Sequence, residues 1–409
     1  MDNPFPPGRR PAADDGDHAG GPVPPALRGI RVLDLSRLAP GPFASLVLAD
    51  LGAEVIKVEE PTYGDWLRYP TAATEGQGGS GGEAPSNTQA FDLLNRNKKS
   101  MTLNLKAGEG QAILQHLVRG ADVLLEGFRA GTMQRMGLDY ETLRTANPGL
   151  VYASLSGYGQ SGPYRRRACH DLNCLALAGL LDLSGPQDGP PAMSGMPWAD
   201  MAAGLWTALG IVAALLERQH RGLGQYLDIS MLDSVAALAH VPLAQWLGTG
   251  ASPHRGETVL SGKLACYNVY KTADGKYMTL GALEPQFWEG FCLAVGHEDW
   301  VARQRAADQT GLRAEVAEVF RSRPQAYWIS LFDSRDCCCE PVLAVDEAFA
   351  HPQAVQRGLL CEGWLATPLA SPEVEFAAAP KLGEHTAQIL AELGYTPEDV
   401  QRLRREGVV

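Results

Sequence analysis

The sequence predicts an α/β protein: a Rossmann-like large domain built on a parallel sheet, followed by a smaller α+β domain. Three observations carry this. From Ile30 onward, β-branched apolar runs alternate with helical segments, the rhythm of βαβ units. After residue 245 the pattern changes to a hairpin around Asp274-Gly275. And 409 residues are more than one hydrophobic core usually serves.

The elements follow in order. I-R-V-L-D-L-S (30–36) is a strand, and a Pro-Gly-Pro turn then leads into a helix, F-A-S-L-V-L-A-D-L, that stops at Gly52. A-E-V-I-K-V-E-E-P is a second strand, ended by Pro61. Helix and strand alternate again through G-E-G-Q-A-I-L-Q-H-L-V-R-G, A-D-V-L-L-E-G-F, Y-E-T-L-R-T-A-N-P-G and L-V-Y-A-S-L-S-G. Such repeats imply a parallel sheet covered by helices. A Gly/Ser-rich loop is expected over 74–88, and a long apolar helix over 201–222, with a further strand and helix after it. The large domain spans 27–235 and the small domain 250–345. Residues 346–409 form a linker and a pair of amphipathic helices that return to the large domain.

Composition narrows the function classes. A net charge of −12 argues against nucleic acid as the main partner, which needs a basic surface. No stretch reaches eighteen uninterrupted apolar residues, so no membrane partner is expected. The first 26 residues, rich in Pro, Gly and Asp, lack the apolar core of a signal peptide and read as a disordered tail. The C-terminal Glu-Gly-Val-Val is not a peroxisomal address. The eight cysteines suit neither a disulfide framework nor zinc-site spacing, so reduced thiols, a cytoplasmic location and no metal are expected.

Several motifs have both a bland and a functional reading. L-S-G-Y-G-Q-S-G contains G-x-G-x-x-G at Gly157, Gly159 and Gly162, but Pro163, Tyr164 and three arginines follow instead of an apolar helix. The dinucleotide reading fails that context, and a loop approaching a ligand closely fits better. N-R-N-K-K-S (95–100), Arg129 and Arg135 form a solvated basic face or, at strand–helix edges, a site for a phosphate-bearing cofactor. His170 is a hydrogen-bonded structural histidine, a metal ligand or half of a proton-transfer pair; no further ligands stand at metal spacing. Asp200 reads as an N-cap or a catalyst, and Glu284 as a charge at a helix N-terminus.

R-V-L-D-L-S-R-L-A-P-G-P-F-A-S-L-V-L-A-D-L-G-A-E-V-I-K-V-E resembles the N-terminal signature of the family III coenzyme A transferases. The resemblance continues through N-R-N-K-K-S, D-V-L-L-E-G-F-R-A-G, L-S-G-Y-G-Q-S-G-P, G-L-G-Q-Y-L-D-I-S-M-L-D, Y-K-T-A-D-G-K-Y-M-T-L-G-A and G-E-H-T-A-Q-I-L-A-E-L-G-Y. It implies an interlocked homodimer, with each active site between the large domain of one chain and the small domain of the other. It also implies an acyl-CoA substrate, with CoA along Asn97, Lys98 and Arg135 and the thioester near Gly157, Tyr158 and Gly159. No cofactor beyond the CoA moiety is implied.

Within that family the resemblance separates two chemistries. H-D-L-N (170–173), E-P-Q-F (284–287) and the D…P-V-L run near Asp336 are similar to the racemase branch. There, His170 and Asp200 would be the two bases that exchange an α-proton, and Glu284 would orient the imidazole. Asp171 and Asn173, inside the same motif, are counted with the binding residues. In the transferase branch the aspartate matching Asp200 is a nucleophile that forms an anhydride and then an enzyme-bound CoA thioester. The expected reaction is inversion of the α-carbon of a 2-methyl-branched or related acyl-CoA, with CoA transfer as the alternative. The chain departs from the racemase pattern at Cys169, Cys174, Met196, the D-M-A-A-G after Asp200, and Glu60.

Overall fold

The computed structural model describes residues 25–69, 88–361, 363–370 and 374–409. The proline-rich tail and the Gly/Ser-rich loop lie almost wholly outside the described residues. The chain divides into two compact units. One comprises the residues up to Ala178, Pro197–Leu238 and Pro352–Val409; the other comprises Gly179–Met196 and Ala239–His351.

The first unit is built on a parallel sheet. Its elements are β1 (Arg31–Leu35), α1 (Pro40–Asp50), β2 (Glu54–Glu59), α2 (Gln89–Asn95), β3 (Lys98–Thr102), α3 (Gly108–Arg119), β4 (Val123–Glu126), α4 (Thr132–Arg135) and α5 (Tyr140–Ala146). Then follow β5 (Val151–Ser156), α6 (Asp171–Leu177), α7 (Trp198–Arg221), β6 (Tyr226–Ser230) and α8 (Met231–Ala236). The strand order is β3-β2-β1-β4-β5-β6. Leu33 on β1 stands opposite Ile56 on one side and Leu124 on the other. All three are fully or nearly fully buried, the continuous apolar signature of a sheet covered on both faces. The order reverses between β1 and β4, and ligands of open α/β sheets bind outside the C-terminal strand ends at such a reversal.

In the second unit lie α9 (His240–Thr249), β7 (Tyr267–Lys271), β8 (Tyr277–Gly281), α10 (Pro285–Val295), α11 (Gln309–Arg321), α12 (Gln325–Phe332), β9 (Cys339–Pro341) and α13 (Val345–Ala350). The hairpin is there with its Asp274-Gly275 turn, and β9 adds a third antiparallel strand that its short length hid from the sequence. Trp288, Phe291, Phe320, Trp328 and Phe332 stack into one core, and the Trp288 indole N–H donates to the Trp300 carbonyl at 3.0 Å. Residues 179–196 were expected within the large domain. They belong instead to this second unit, because Arg255 bonds the Asp182 carboxylate at 2.6 Å and the Gly189 carbonyl at 2.8 Å.

The chain then re-enters the first unit through α14 (Pro352–Gln356), β10 (Leu360–Cys361), β11 (Trp364–Leu365), α15 (Thr386–Glu392) and α16 (Pro397–Arg405). Ile389, Leu390, Val400 and Leu403 enter the same core as β1, β2 and α3. The Thr102 amide donates to Thr386 Oγ1 at 3.0 Å, which fixes α15 on the edge strand.

Among the described residues, α7 alone has the length and apolarity of a membrane span. One of its faces (Ala199, Ala203, Gly204, Thr207, Ile211) is buried, as in a core helix. A Cβ at Gly204 would meet the Phe43 ring and the Pro40 carbonyl at 2.8 Å, so glycine is what lets α7 lie so close to α1. The opposite face leaves Leu205, Trp206, Leu209 and Leu216 exposed.

Candidate active site

A cavity of about 440 Å³ opens at the sheet's reversal point. Ser36–Gly41 after β1, Gly127–Arg129 after β4 and Leu155–Tyr158 at the end of β5 line it, together with Arg165, Arg167, Cys169, His170 and Asp200. His170 and Asp200, thirty residues apart in the chain, therefore line the same cavity.

A buried charge network holds the β1–α1 loop that lines the cavity. Lys98 Nζ donates to the Pro42 carbonyl and to Asn95 Oδ1, both at 2.9 Å, and stands 3.4 Å from Asp34 Oδ2. Lys57 pairs with Asp65 at 2.9 Å and donates to the Ser36 carbonyl at 3.0 Å. Asp65 in turn accepts the Leu38 amide at 3.2 Å. The network grips both ends of the β1–α1 loop and holds Leu38 at φ 66°, a left-handed conformation uncommon for a side chain of this kind. Burial pulls the Lys98 ammonium down to about 7, against the pull of Asp34.

The expected cofactor residues fall in different places. Lys98 is buried with its ammonium engaged as above, and Asn97 directly precedes it at the N-terminal end of β3. Asn97 is left-handed at φ 62° and exchanges bonds with Ala377, and its Nδ2 is buried without a partner. Asn97 and Lys98 line a second cavity, with Lys99, His385 and Glu375. Arg135, on the exposed end of α4, donates to Thr132 Oγ1 at 3.0 Å and does not line the first cavity. Gly157 and Tyr158 do line it; Gly159 is buried next to them, near Asp228. The basic stretch at 95–100 is thus mainly structural: the Arg96 guanidinium is buried against Asp50. The cations on the cavity wall are Arg37, Arg129, Arg165 and Arg167. The sequence offered a signal for the last two, the arginine run after Tyr164, but it served there only to reject a dinucleotide site. Ser156 was missed. Its residue lines the cavity and its Oγ is buried without a partner.

His170 is the N-cap of α6. Its amide donates to Asn173 Oδ1 at 3.0 Å, and its carbonyl accepts the Asn173 amide at 3.0 Å. Asn173 therefore caps the helix from inside, and the exposed imidazole is left on the cavity wall. Histidine is a poor N-cap compared with Ser, Thr, Asp or Asn.

Asp171 joins the two helices of the site. Its Oδ1 accepts the amides of Ala199 at 2.6 Å and Asp200 at 3.3 Å, in the first turn of α7. Pro197, the N-cap of α7, has no side-chain acceptor to offer, so a carboxylate from another helix satisfies those donors. This fixes α6, which carries His170, to the turn that carries Asp200. It also changes the charge balance. The first-turn amides of α7 are used by Asp171. Burial, and then the Asp171 charge, push the Asp200 carboxyl up to about 6, with His170 pulling the other way.

Glu284 belongs to the second unit, where it is the N-cap of α10. Its carbonyl accepts the Phe287 and Trp288 amides at 3.2 Å, and its side chain makes no capping bond. No group of His, Cys, Asp and Glu among the described residues is arranged to hold a metal ion.

A parallel sheet with its cavity at the strand reversal, lined by an imidazole and a carboxylate, is a candidate enzyme site of an α/β protein, and comparison with known proteins gives its family. Residues 27–391 match the model of CoA-transferase family III. The chain is 37% identical to "Alpha-methylacyl-CoA racemase" of Mus musculus, over 94% of this chain and 97% of that one. It is 33% identical to "Succinyl-CoA:glutarate CoA-transferase" of the same organism, over 94% and 90%. A crystal structure of a CAIB/BAIF family protein from Brucella suis superposes with a TM-score of 0.78 at 31% identity, covering 91% of this chain and all of that one. The protein belongs to CoA-transferase family III and is an enzyme of its transferase and racemase group.

Proposed function

We propose that this enzyme inverts the α-carbon of a 2-methyl-branched or related acyl-CoA by two-base proton transfer. The observation that carries the reading is the shared cavity: an exposed imidazole and a carboxylate raised to about 6 both line it. A base with a pKa near working pH balances the ionised fraction against the drive to take a proton. Neutral His170 removes the α-proton from one face, and the protonated Asp200 carboxyl returns one to the other; the reverse direction exchanges the roles. The enolate oxygen between the two steps needs a donor, and the unpartnered Ser156 hydroxyl supplies one from the end of β5. Arg37, Arg129, Arg165 and Arg167 give the cavity mouth positive charge for the phosphates of CoA.

The working form in this reading is a homodimer, with Glu284 of a second copy completing the His170 side of the site. The exposed Leu205, Trp206, Leu209 and Leu216 on α7 support it, because such a stripe is the surface that an obligate partner covers.

CoA transfer is the second reading. It is favoured by the similarity to the named glutarate CoA-transferase and by the type of nucleophile that Asp200 offers. An enantiopure 2-methylacyl-CoA, incubated without any acceptor acid and separated by chiral chromatography, tests the choice. Racemisation supports two-base chemistry. Retained configuration, with turnover only on adding a carboxylic acid and with hydroxylamine trapping at Asp200, supports transfer.

A further inference from the structure

Helix α6 carries a pair of thiols that neither reaction uses. With His170 as N-cap, Cys169 directly precedes the cap and Cys174 is the fourth helical residue. Side chains at these two positions meet across the first turn, the arrangement in which apolar pairs staple an entering chain. Here both are sulfur. Cys169 Sγ lies 2.9 Å from Cys174 Sγ, about one ångström beyond a disulfide bond length. Both are free. Cys174 is fully buried, and burial pushes its thiol up. Cys169 is half-buried and lines the cavity beside His170, so reagents reach the pair from that side. Cys169 is also wedged: a Cβ at Gly157 would strike its Cβ, so glycine is required there.

We infer that Cys169 and Cys174 form an oxidation site, at which a hydroperoxide entering the cavity converts the two thiols to a disulfide. The Cys169 sulfur, giving up its proton, attacks the peroxide O–O bond to form a sulfenic acid; the displaced oxygen takes up that proton and leaves as an alcohol or water. The Cys174 sulfur then displaces the sulfenic oxygen as water, and the S–S bond forms. Two electrons pass from the sulfurs to the peroxide, and the Cys174 thiol proton leaves with the water. The bond pulls Cys169 inward and with it the backbone immediately before His170. A displacement near 1 Å at a reacting group costs on the order of 10²-fold in rate. That effect rests on His170 being a base; the oxidation itself does not.

The test treats the full chain with hydrogen peroxide, blocks remaining thiols with iodoacetamide and maps the peptides. The expected product is a peptide holding Cys169 and Cys174 that is two hydrogens lighter and unalkylated, with α-proton exchange down on the order of 10²-fold and both changes reversed by dithiothreitol. Cys169→Ser and Cys174→Ala should each lose the mass change. If both cysteines stay fully alkylated after peroxide, or Cys169 pairs with another cysteine, the oxidation site is refuted. If the disulfide forms and exchange is unaltered, its link to His170 is refuted. Because the mass is read without turnover, it holds even if the chain transfers CoA instead.

Discussion

Replacing Asp171 by asparagine separates the two things that this carboxylate does. Asparagine keeps an Oδ1 acceptor for the Ala199 and Asp200 amides, so the link between α6 and α7 survives. It removes the negative charge that raises Asp200. Asp171 Oδ1 accepts the Asp200 amide at 3.3 Å; for the two carboxylates a working separation of roughly 6 Å is used, the outer end of the range over which a neighbouring charge moves a pKa. At that separation the repulsion is about 0.7 kcal/mol in bulk water and about 3 kcal/mol at an effective dielectric of 20. Raising a carboxyl from 3.8 to about 6 corresponds to about 3 kcal/mol in all, and burial accounts for the larger part. The Asp171 share is therefore between about 0.7 and 1.5 kcal/mol, or about 0.5–1 pH unit. Activity that needs ionised Asp200 rises with pH through about 6, so this acidic limb of kcat/KM should move down by about that amount in Asp171→Asn. The assay is a pH profile, from pH 4 to 8, of α-proton exchange from the enantiomer that Asp200 deprotonates. An unmoved limb, or one displaced upward, refutes the assignment of that limb to Asp200 beside a charged Asp171.

His170→Ala should abolish α-proton exchange while leaving CoA affinity, measured by calorimetry, nearly intact. Asp200→Asn should stabilise the fold. A carboxyl whose folded pKa of about 6 exceeds its ordinary 3.8 opposes folding once ionised, so the variant should gain about 1–2 kcal/mol above pH 6 after allowance for solvent screening, and nothing below pH 4, in urea melts. Trp288→Ala should cost the second unit about 3–5 kcal/mol, read as lost thermal stability, because it opens a stacked aromatic core and strands the Trp300 carbonyl. Leu209→Asp on the exposed face of α7 should yield monomers by sedimentation and lose activity with them.

The parts of the fold that were legible had strong periods. The runs at 30–36, 53–61, 121–128 and 150–157 became β1, β2, β4 and β5, since buried parallel strands read as unbroken apolar stretches. β3 was not legible, because Lys98 and Lys99 open it; the Lys98 charge is matched by Asp34, Asn95 and Pro42, which only the folded chain brings together. The excursion 179–196 was placed in the wrong unit for the same reason: its ties to Arg255 are long-range polar contacts with no local pattern. At the site, His170 and Asp200 stood out through the resemblance of H-D-L-N and its neighbours to a known branch. The role of Asp171 as a cap for another helix, and the orphan hydroxyl of Ser156, have no signature in spacing. Glycine at 157 was legible as a close approach, but what approaches it is Cys169.

Deuterium wash-in measures the central chemistry most directly. An acyl-CoA incubated in heavy water with the enzyme, and with no acceptor acid present, should gain deuterium at the α-carbon and emerge with both configurations. Unlabelled, configurationally intact substrate under those conditions, together with acid-dependent turnover, would mean that no proton is ever removed between His170 and Asp200.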